Sequence, residues 1–268
     1  MTEVNYNQLS REAWNEAAPI HWRVTETLLR EIKDPTRRDI HDVQIAELDR
    51  IGVHGASVAQ LNCNNGRELI TIKRMGAGRC VGFDISDEFV SQARQLNEAA
   101  GLDCEFVSSD VYDIGPEFAG QFDVVVVTAG ALCFMPDLPR YFAIARSLLN
   151  KDGVLTIYEA HPLTRMFLKD RDRKGEPLQF VRSYFESDPV LHTAGLDYQG
   201  GTTYEAKPIY YFQYKLSDIL RAFTQAGFLI DNFEEHDRDP SQSRQSLESL
   251  AAKPPLSYIL TGSLQRTH

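Results

Sequence analysis

The sequence predicts an α/β fold built around a mostly parallel sheet. Three observations point to it. Short apolar runs alternate with helical periods from residue 56 onward. Each run closes on a polar, turn-forming cluster. The stretch Val124–Val127 is continuously apolar, as a strand covered on both faces requires. Strands that alternate with helices are joined by right-handed crossovers, so they lie parallel.

Residues 1–50 read as polar and helical, with Pro35 and Thr36 separating a front helix from a second near 39–50. The run 56–61 is the first strand, closed by the turn formers Asn62, Asn64, Asn65 and Gly66. Leu69, Ile72 and Met75 then recur at helical spacing, and Gly76 and Gly78 stop that helix. The second strand, 80–83, ends at Asp84. Ser86 caps the next helix, whose apolar face is Phe89, Ala93, Leu96 and Ala100, and Gly101 ends it. A third strand, 104–107, leads to Ser108, Ser109 and Asp110, and a fourth covers 122–127. Leu138, Tyr141, Phe142, Ala145, Leu148 and Leu149 form a helical stripe. Asp152-Gly153 turns the chain into a fifth strand at 154–158.

Residues 160–216 break the alternation. They are rich in aromatics, among them Phe167, Phe180, Tyr184, Tyr198, Tyr210, Tyr211, Phe212 and Tyr214, and carry Gly200-Gly201. This reads as an inserted lid with an antiparallel hairpin. The charge run Lys169–Lys174 mixes signs and reads as a solvated loop. A helix at 217–226 and strands at 228–233 and 257–264 complete the chain. The organisation expected is a cap (1–50), a sheet domain (51–159 with 217–268) and a lid (160–216).

Composition narrows the function. Lys plus Arg is 28 against 38 Asp plus Glu, a net charge of −10, which disfavours a phosphate backbone as partner. Cys63, Cys80, Cys104 and Cys133 form no C-x-x-C pair and have no His at zinc-ligand spacing, so no metal is expected and the thiols suggest a reducing, cytoplasmic compartment. The polar start MTEVNYNQLS is no signal peptide, and no apolar run of 18 residues exists to span a membrane. The oligomeric state is not legible.

In open parallel sheets, ligands sit beyond the carboxyl ends of the strands. Those ends carry Asn62–Gly66, Asp84, Asp110, Thr128–Gly130 and Glu159–His161, five polar clusters on one edge. The segment Leu61-Asn62-Cys63-Asn64-Asn65-Gly66 is a tight polar turn between strand and helix, where free N–H groups face an anion. It resembles motif I of the class I S-adenosylmethionine-dependent methyltransferases, which reads like L-D-x-G-C-G-x-G. Asn62 and Asn64 depart from that pattern; Asn enters left-handed backbone more readily than other non-glycine residues, so the turn survives. Cys63 reads as packing in this turn.

The resemblance covers roughly residues 55–159 and 217–264, and implies a Rossmann-like methyltransferase sheet with an antiparallel terminal strand. It implies that Asp84, beside Ile85, accepts hydrogen bonds from the ribose of S-adenosyl-L-methionine. It also implies that Asp110 pairs with the adenine amino group while Val111 packs on the ring. Asn62, Cys63, Asn64, Gly66, Thr128, Ala129 and Gly130 complete the implied cofactor set. Phe122-Asp123-Val124-Val125 is similar to the family's fourth-strand motif. The pattern Tyr6-x-x-Leu-x-x-x-Ala-Trp14-x-x-x-Ala-x-x-His21 is similar to the leading helix of bacterial small-molecule members. Tyr6 and Trp14 on it either cover the sulfonium, a cation drawn to aromatic faces, or serve as core anchors.

For chemistry, His161 and Glu159 are the candidates: residues two apart on a strand share a side, and Pro162 keeps His161 extended. A carboxylate beside the imidazole suits a general base, with Tyr210 or Tyr211 as a substitute. The expected function is methyl transfer to oxygen or nitrogen of a small molecule. A non-catalytic cofactor-binding scaffold and a nicotinamide-dependent oxidoreductase remain as alternatives; the missing G-x-G-x-x-G fingerprint disfavours the second.

Overall fold

The computed structural model describes residues 4–173, 176–197, 203–241 and 243–264. Tyr198, Gly200, Gly201 and Lys174 lie outside the described residues. Seven strands form one sheet in the order β3-β2-β1-β4-β5-β9-β8. They are β1 (Val58–Leu61), β2 (Cys80–Asp84), β3 (Glu105–Ser108), β4 (Phe122–Val127), β5 (Leu149–Ala160), β8 (Phe228–His236) and β9 (Ser257–Leu264). The first five are parallel, and β9 runs antiparallel between β5 and β8. The strand order reverses between β1 and β4, the place where such sheets open a ligand crevice.

Apolar residues cover both faces. Leu61, Val125, Val127 and Ile157 point toward a core shared with Tyr141, Phe142 and Phe223, on α5 (Leu138–Leu148) and α7 (Leu216–Gln225). Val58, Val124 and Val126 point the other way, toward Leu48, Leu69 and Val90 on α2 (Asp42–Ile51), α3 (Arg67–Arg74) and α4 (Asp87–Ala100). Burial on both faces explains the unbroken valines of β4. Helix stops fall where expected: Ser86 accepts from the Phe89 amide at 3.2 Å, and Gly101 closes α4 at φ 67°.

Two elements differ from the sequence reading. Asp152-Gly153 does not start a strand; β5 begins at Leu149 and bulges, with Phe122 opposite Leu149 but Val124 opposite Val154. Residues Asp170–Arg173 form a helical turn, α6, in place of a free loop. Asp170 anchors that turn by accepting from the Ser246 amide at 2.9 Å.

Helix α1 (Tyr6–Glu31) starts at Asn5, whose side chain accepts from the Gln8 amide. It lies across α4: Gln92 Nε2 donates to the Ala18 carbonyl at 2.7 Å, and Ser86 Oγ donates to Asn15 Oδ1 at 2.7 Å. The expected hairpin in the insert is present as β6 (Val190–His192) paired antiparallel with β7 (Ile209–Tyr211). It meets α1 through Ala13, Ala17, Leu196 and Ile209, and the Lys207 amide donates to Glu16 Oε2 at 2.8 Å. Among the described residues no helix is long and apolar enough to cross a membrane.

Candidate active site

The turn after β1 has the backbone the sequence predicts. Asn62 and Asn64 have φ of 55° and 50°, and Gly66 has φ of 76°. Three left-handed positions in five residues fold the chain tightly enough to bring backbone amides toward the strand ends. Each Asn also holds its conformation with its side chain. Tyr141 Oη donates to Asn62 Oδ1 at 2.9 Å, and the Asn65 amide donates to Asn64 Oδ1 at 2.8 Å. Gly66 is required on two grounds, because a Cβ there would sit 2.5 Å from the Phe106 ring. No side chain caps the start of α3, so its first amides stay open to an anion. Cys63 is 1% exposed and packs against Gly82, and burial pushes its thiol pKa well up. Its side chain is packing, as expected.

Asp84 faces this turn from the end of β2. Its Oδ2 accepts from the Asn64 amide at 2.7 Å and its Oδ1 from the Ser86 amide at 2.9 Å. Burial pushes its pKa up to about 6, against the pull of those amides. Each oxygen keeps a further acceptor position. Asp110, at the end of β3, is also raised by burial, and its Oδ1 caps the following turn through the Tyr112 amide at 3.0 Å. Ile85 and Asp110 line an open cavity of about 240 Å³ together with Asn5, Asn7, Gln8, Arg11 and Asp113. Val111, the next residue, is buried. A larger cavity of about 510 Å³, lined by Arg146, Leu149 and Leu264 among others, lies at the opposite end of the sheet and holds none of the predicted site residues.

The loop after β4 holds Thr128, Ala129 and Gly130. Thr128 Oγ1 accepts from Gln60 Nε2 at 3.2 Å. Gly130 is exposed with φ of 97°, and no atom lies within 4 Å of where its Cβ would stand, so the strand ends border open space there. Gln60, fully buried on β1, is a residue the sequence reading passed over; its Oε1 has no partner among the described residues. Its position two residues before the turn was the available signal.

Glu159 and His161 do not form the expected pair. Glu159 Oε1 accepts from the Gly130 and Ala160 amides at 2.7 and 2.8 Å, and Oε2 from the Ala131 and Leu132 amides at 3.0 and 3.1 Å. Its carboxylate is a clasp on the loop after β4, not a partner for an imidazole. His161 lies beyond the end of β5, in the cap position of a short 3₁₀ turn, Pro162–Met166. Its Nδ1 accepts from the Leu163 amide at 3.1 Å, which leaves the proton on Nε2 in the neutral ring. Nε2 sits 3.0 Å from Glu235 Oε1, close but out of line for a hydrogen bond. Burial lowers the His161 pKa despite Glu235. No ring nitrogen is left to take a proton from a substrate.

Aromatic side chains roof the cleft. Tyr6 meets Tyr210 and Phe212 edge-on, both at 5.1 Å, and Trp14 meets Phe89 and Phe134 at 5.9 and 5.2 Å. Tyr211 packs on Phe134 at 5.0 Å. Trp14 thus packs against α4 and the loop after β4, and shares an apolar cluster with Leu196 and Ile209 of the insert. Behind this roof, Phe212 is tied at both ends. Its amide donates to the Cys133 carbonyl at 2.7 Å, and its carbonyl accepts from Arg165 Nη1 at 2.6 Å.

Residues 58–153 match the family described as Methyltransferase domain. The chain is 28% identical over 103 residues to a tRNA U34 carboxymethyltransferase of Campylobacter lari, covering 38% of this chain and 35% of that protein. It thus spans about a third of that relative's length. Its fold is similar to an S-adenosylmethionine dependent methyltransferase from Mesorhizobium loti, with TM-score 0.59 and 20% identity, covering 81% of this chain and 97% of that one. A second neighbour, a putative S-adenosylmethionine dependent methyltransferase from Listeria monocytogenes, gives TM-score 0.62 at 16% identity over 82% of this chain and 97% of that one.

Proposed function

We propose that this chain, which belongs to the class I S-adenosylmethionine-dependent methyltransferases, transfers a methyl group from S-adenosylmethionine to an oxygen or nitrogen of a small-molecule acceptor. The observation that supports this most is the turn Asn62–Gly66. It turns through left-handed backbone at Asn62, Asn64 and Gly66, and it keeps Asp84 hydrogen-bonded to its centre.

The donor set fits the cofactor. Open amides at the start of α3 suit the methionyl carboxylate. The spare lone pairs of Asp84 suit ribose hydroxyls, and Ile85, Val111 and Asp110 suit a purine with an amino group. The bound cofactor supplies a methyl group already activated by its sulfonium. The chain then has to bring the acceptor into line with that methyl and exclude water, the service that proximity and orientation provide. Glu159 fixes the Gly130–Leu132 loop beside the reacting centre. Helix α1 and the β6–β7 insert act as cap and lid over the sheet formed by 51–159 and 217–268. His161 has no base role in this reading, since its Nδ1 lone pair is taken by the Leu163 amide and Nε2 carries the ring proton.

The aromatic side chains packed between α1, the loop after β4 and the insert, in a chain of net charge −10, favour a small acceptor over a nucleic acid. Calorimetry with S-adenosylmethionine, S-adenosylhomocysteine and NAD tests the cofactor. Micromolar binding of the first two, about −8 kcal/mol, is expected. Binding of NAD alone would overturn the reading. Formation of S-adenosylhomocysteine with a small acceptor separates an enzyme from a scaffold, and salt-sensitive tRNA binding would overturn the choice of acceptor.

A further inference from the structure

Behind the aromatic roof, a cation and a phenol are left without the partners such groups usually have. Arg165 projects from the 3₁₀ turn after β5 and is half-buried. Among the described residues its guanidinium makes one hydrogen bond, to the Phe212 carbonyl, and no ion pair. Tyr258 on β9 is fully buried, and its Oη has no hydrogen-bond partner among the described residues. A buried hydroxyl without a partner is unfavourable, so a group that satisfies it when bound is favoured.

The register and the tie through Phe212 place these groups next to the loop after β4. Tyr258 stands directly opposite Glu159 on β5, on the same face of the sheet. Glu159 is the clasp of the loop at Gly130–Leu132. Arg165 is joined through Phe212 to Cys133 in the same loop. Burial raises the pKa of Glu159, Cys133, Tyr214 and Tyr258, and the Arg165 charge is near enough to oppose that rise at all four. Arg165 is not the direct counterion of Glu159. The four amides already fill the acceptor positions of that carboxylate, and no contact within ion-pair distance joins the two. Cys133, with a pKa pushed up to about 11, is neutral. The fork of Arg165 is thus open to a planar anion.

Resting on the methyltransferase reading above, we propose that Arg165 and Tyr258 hold a carboxylate of the methyl acceptor, so that the substrates are small organic acids with an apolar body. A guanidinium binds a carboxylate through two parallel N–H donors, and the Tyr258 hydroxyl adds a third donor. The apolar body lies against Phe134, Tyr211, Phe212 and Tyr214. A primary amide of the same shape offers one acceptor oxygen and no charge, which makes it the matched control.

The test uses the full chain saturated with S-adenosylhomocysteine. Benzoate, 4-hydroxybenzoate, indole-3-acetate and octanoate are each titrated beside their primary amides, by thermal shift and then calorimetry. At least one acid is expected to bind about tenfold or more tightly than its amide, the scale of a charge-assisted hydrogen bond. Arg165→Met abolishes that preference, Arg165→Lys keeps only part of it, and Tyr258→Phe weakens acid binding several-fold. S-adenosylhomocysteine affinity stays at the wild-type value in all three and reports that each is folded. Equal binding of acid and amide across the set, or an acid preference that survives Arg165→Met, overturns the proposal. Failure of the wild type to bind S-adenosylhomocysteine overturns instead the reading on which it rests.

Discussion

Replacing Asp84 with Asn separates the cost of the cofactor site from its use. The carboxylate is 9% exposed, and burial lifts its pKa to about 6. Against an ordinary Asp near 3.9, that lift is about 3 kcal/mol against the charged form. The unfolded chain loses the proton near pH 4 and the folded chain near pH 6. Between those values the folded state binds more protons, so this group makes the ligand-free protein less stable as pH rises through the window. Asp84→Asn carries no charge and lacks that dependence. It also loses one acceptor, leaving either the Asn64 or the Ser86 amide unpaired at about 1–3 kcal/mol. The two effects offset near pH 7, so urea midpoints of variant and wild type are expected to lie close together there. Binding behaves differently. Hydrogen bonds from hydroxyls to a charged acceptor contribute about 1.5–3 kcal/mol, so the variant's affinity for S-adenosylhomocysteine falls about 10- to 150-fold at pH 7.5. Wild-type affinity falls as pH drops through about 6, while the variant's stays flat there. Calorimetry from pH 7.5 to 5 reads both. A variant that binds like wild type, or a wild type with no pH dependence in that range, refutes the argument that Asp84 holds the ribose.

Gly66→Ala is expected to cost at least about 2 kcal/mol in urea unfolding, from left-handed backbone and collision with Phe106; an unchanged midpoint would show that the turn is not closely packed. Glu159→Gln leaves two of its four backbone amide partners facing an NH₂ group, so it should lower stability by about 2–5 kcal/mol and reduce turnover, and wild-type melting would remove the clasp from the account. His161→Ala should lower turnover by less than about tenfold once an acceptor is known, whereas loss of a general base costs about 10²–10⁴. A hundredfold drop would restore His161 as the base.

How much of this site is legible depends on how local each contact is. The turn at Asn62–Gly66 is legible because the requirement for left-handed backbone belongs to single residues, and Asn and Gly both meet it. The sheet is legible for the same reason: the alternation of apolar runs and helical periods is a local pattern, and strand ends then place Asp84 and Asp110 without knowledge of any contact. The pairing of Glu159 with His161 fails because alternation holds only while the strand continues. β5 ends at Ala160, and His161 already caps the next turn. Its side chain is then drawn to Glu235, a residue two strands away that only the β5–β9–β8 order brings close. Arg165 and Tyr258 are the extreme case. Neither belongs to a motif, and what distinguishes them, a guanidinium without an ion pair and a buried hydroxyl without a hydrogen bond among the described residues, exists only after the antiparallel register of β9 and the tie through Phe212 are set. The cofactor half of the cleft is therefore written in local turn chemistry. The half proposed to hold the acceptor is written in strand order, and substrate choice could change there without altering the residues that identify the fold.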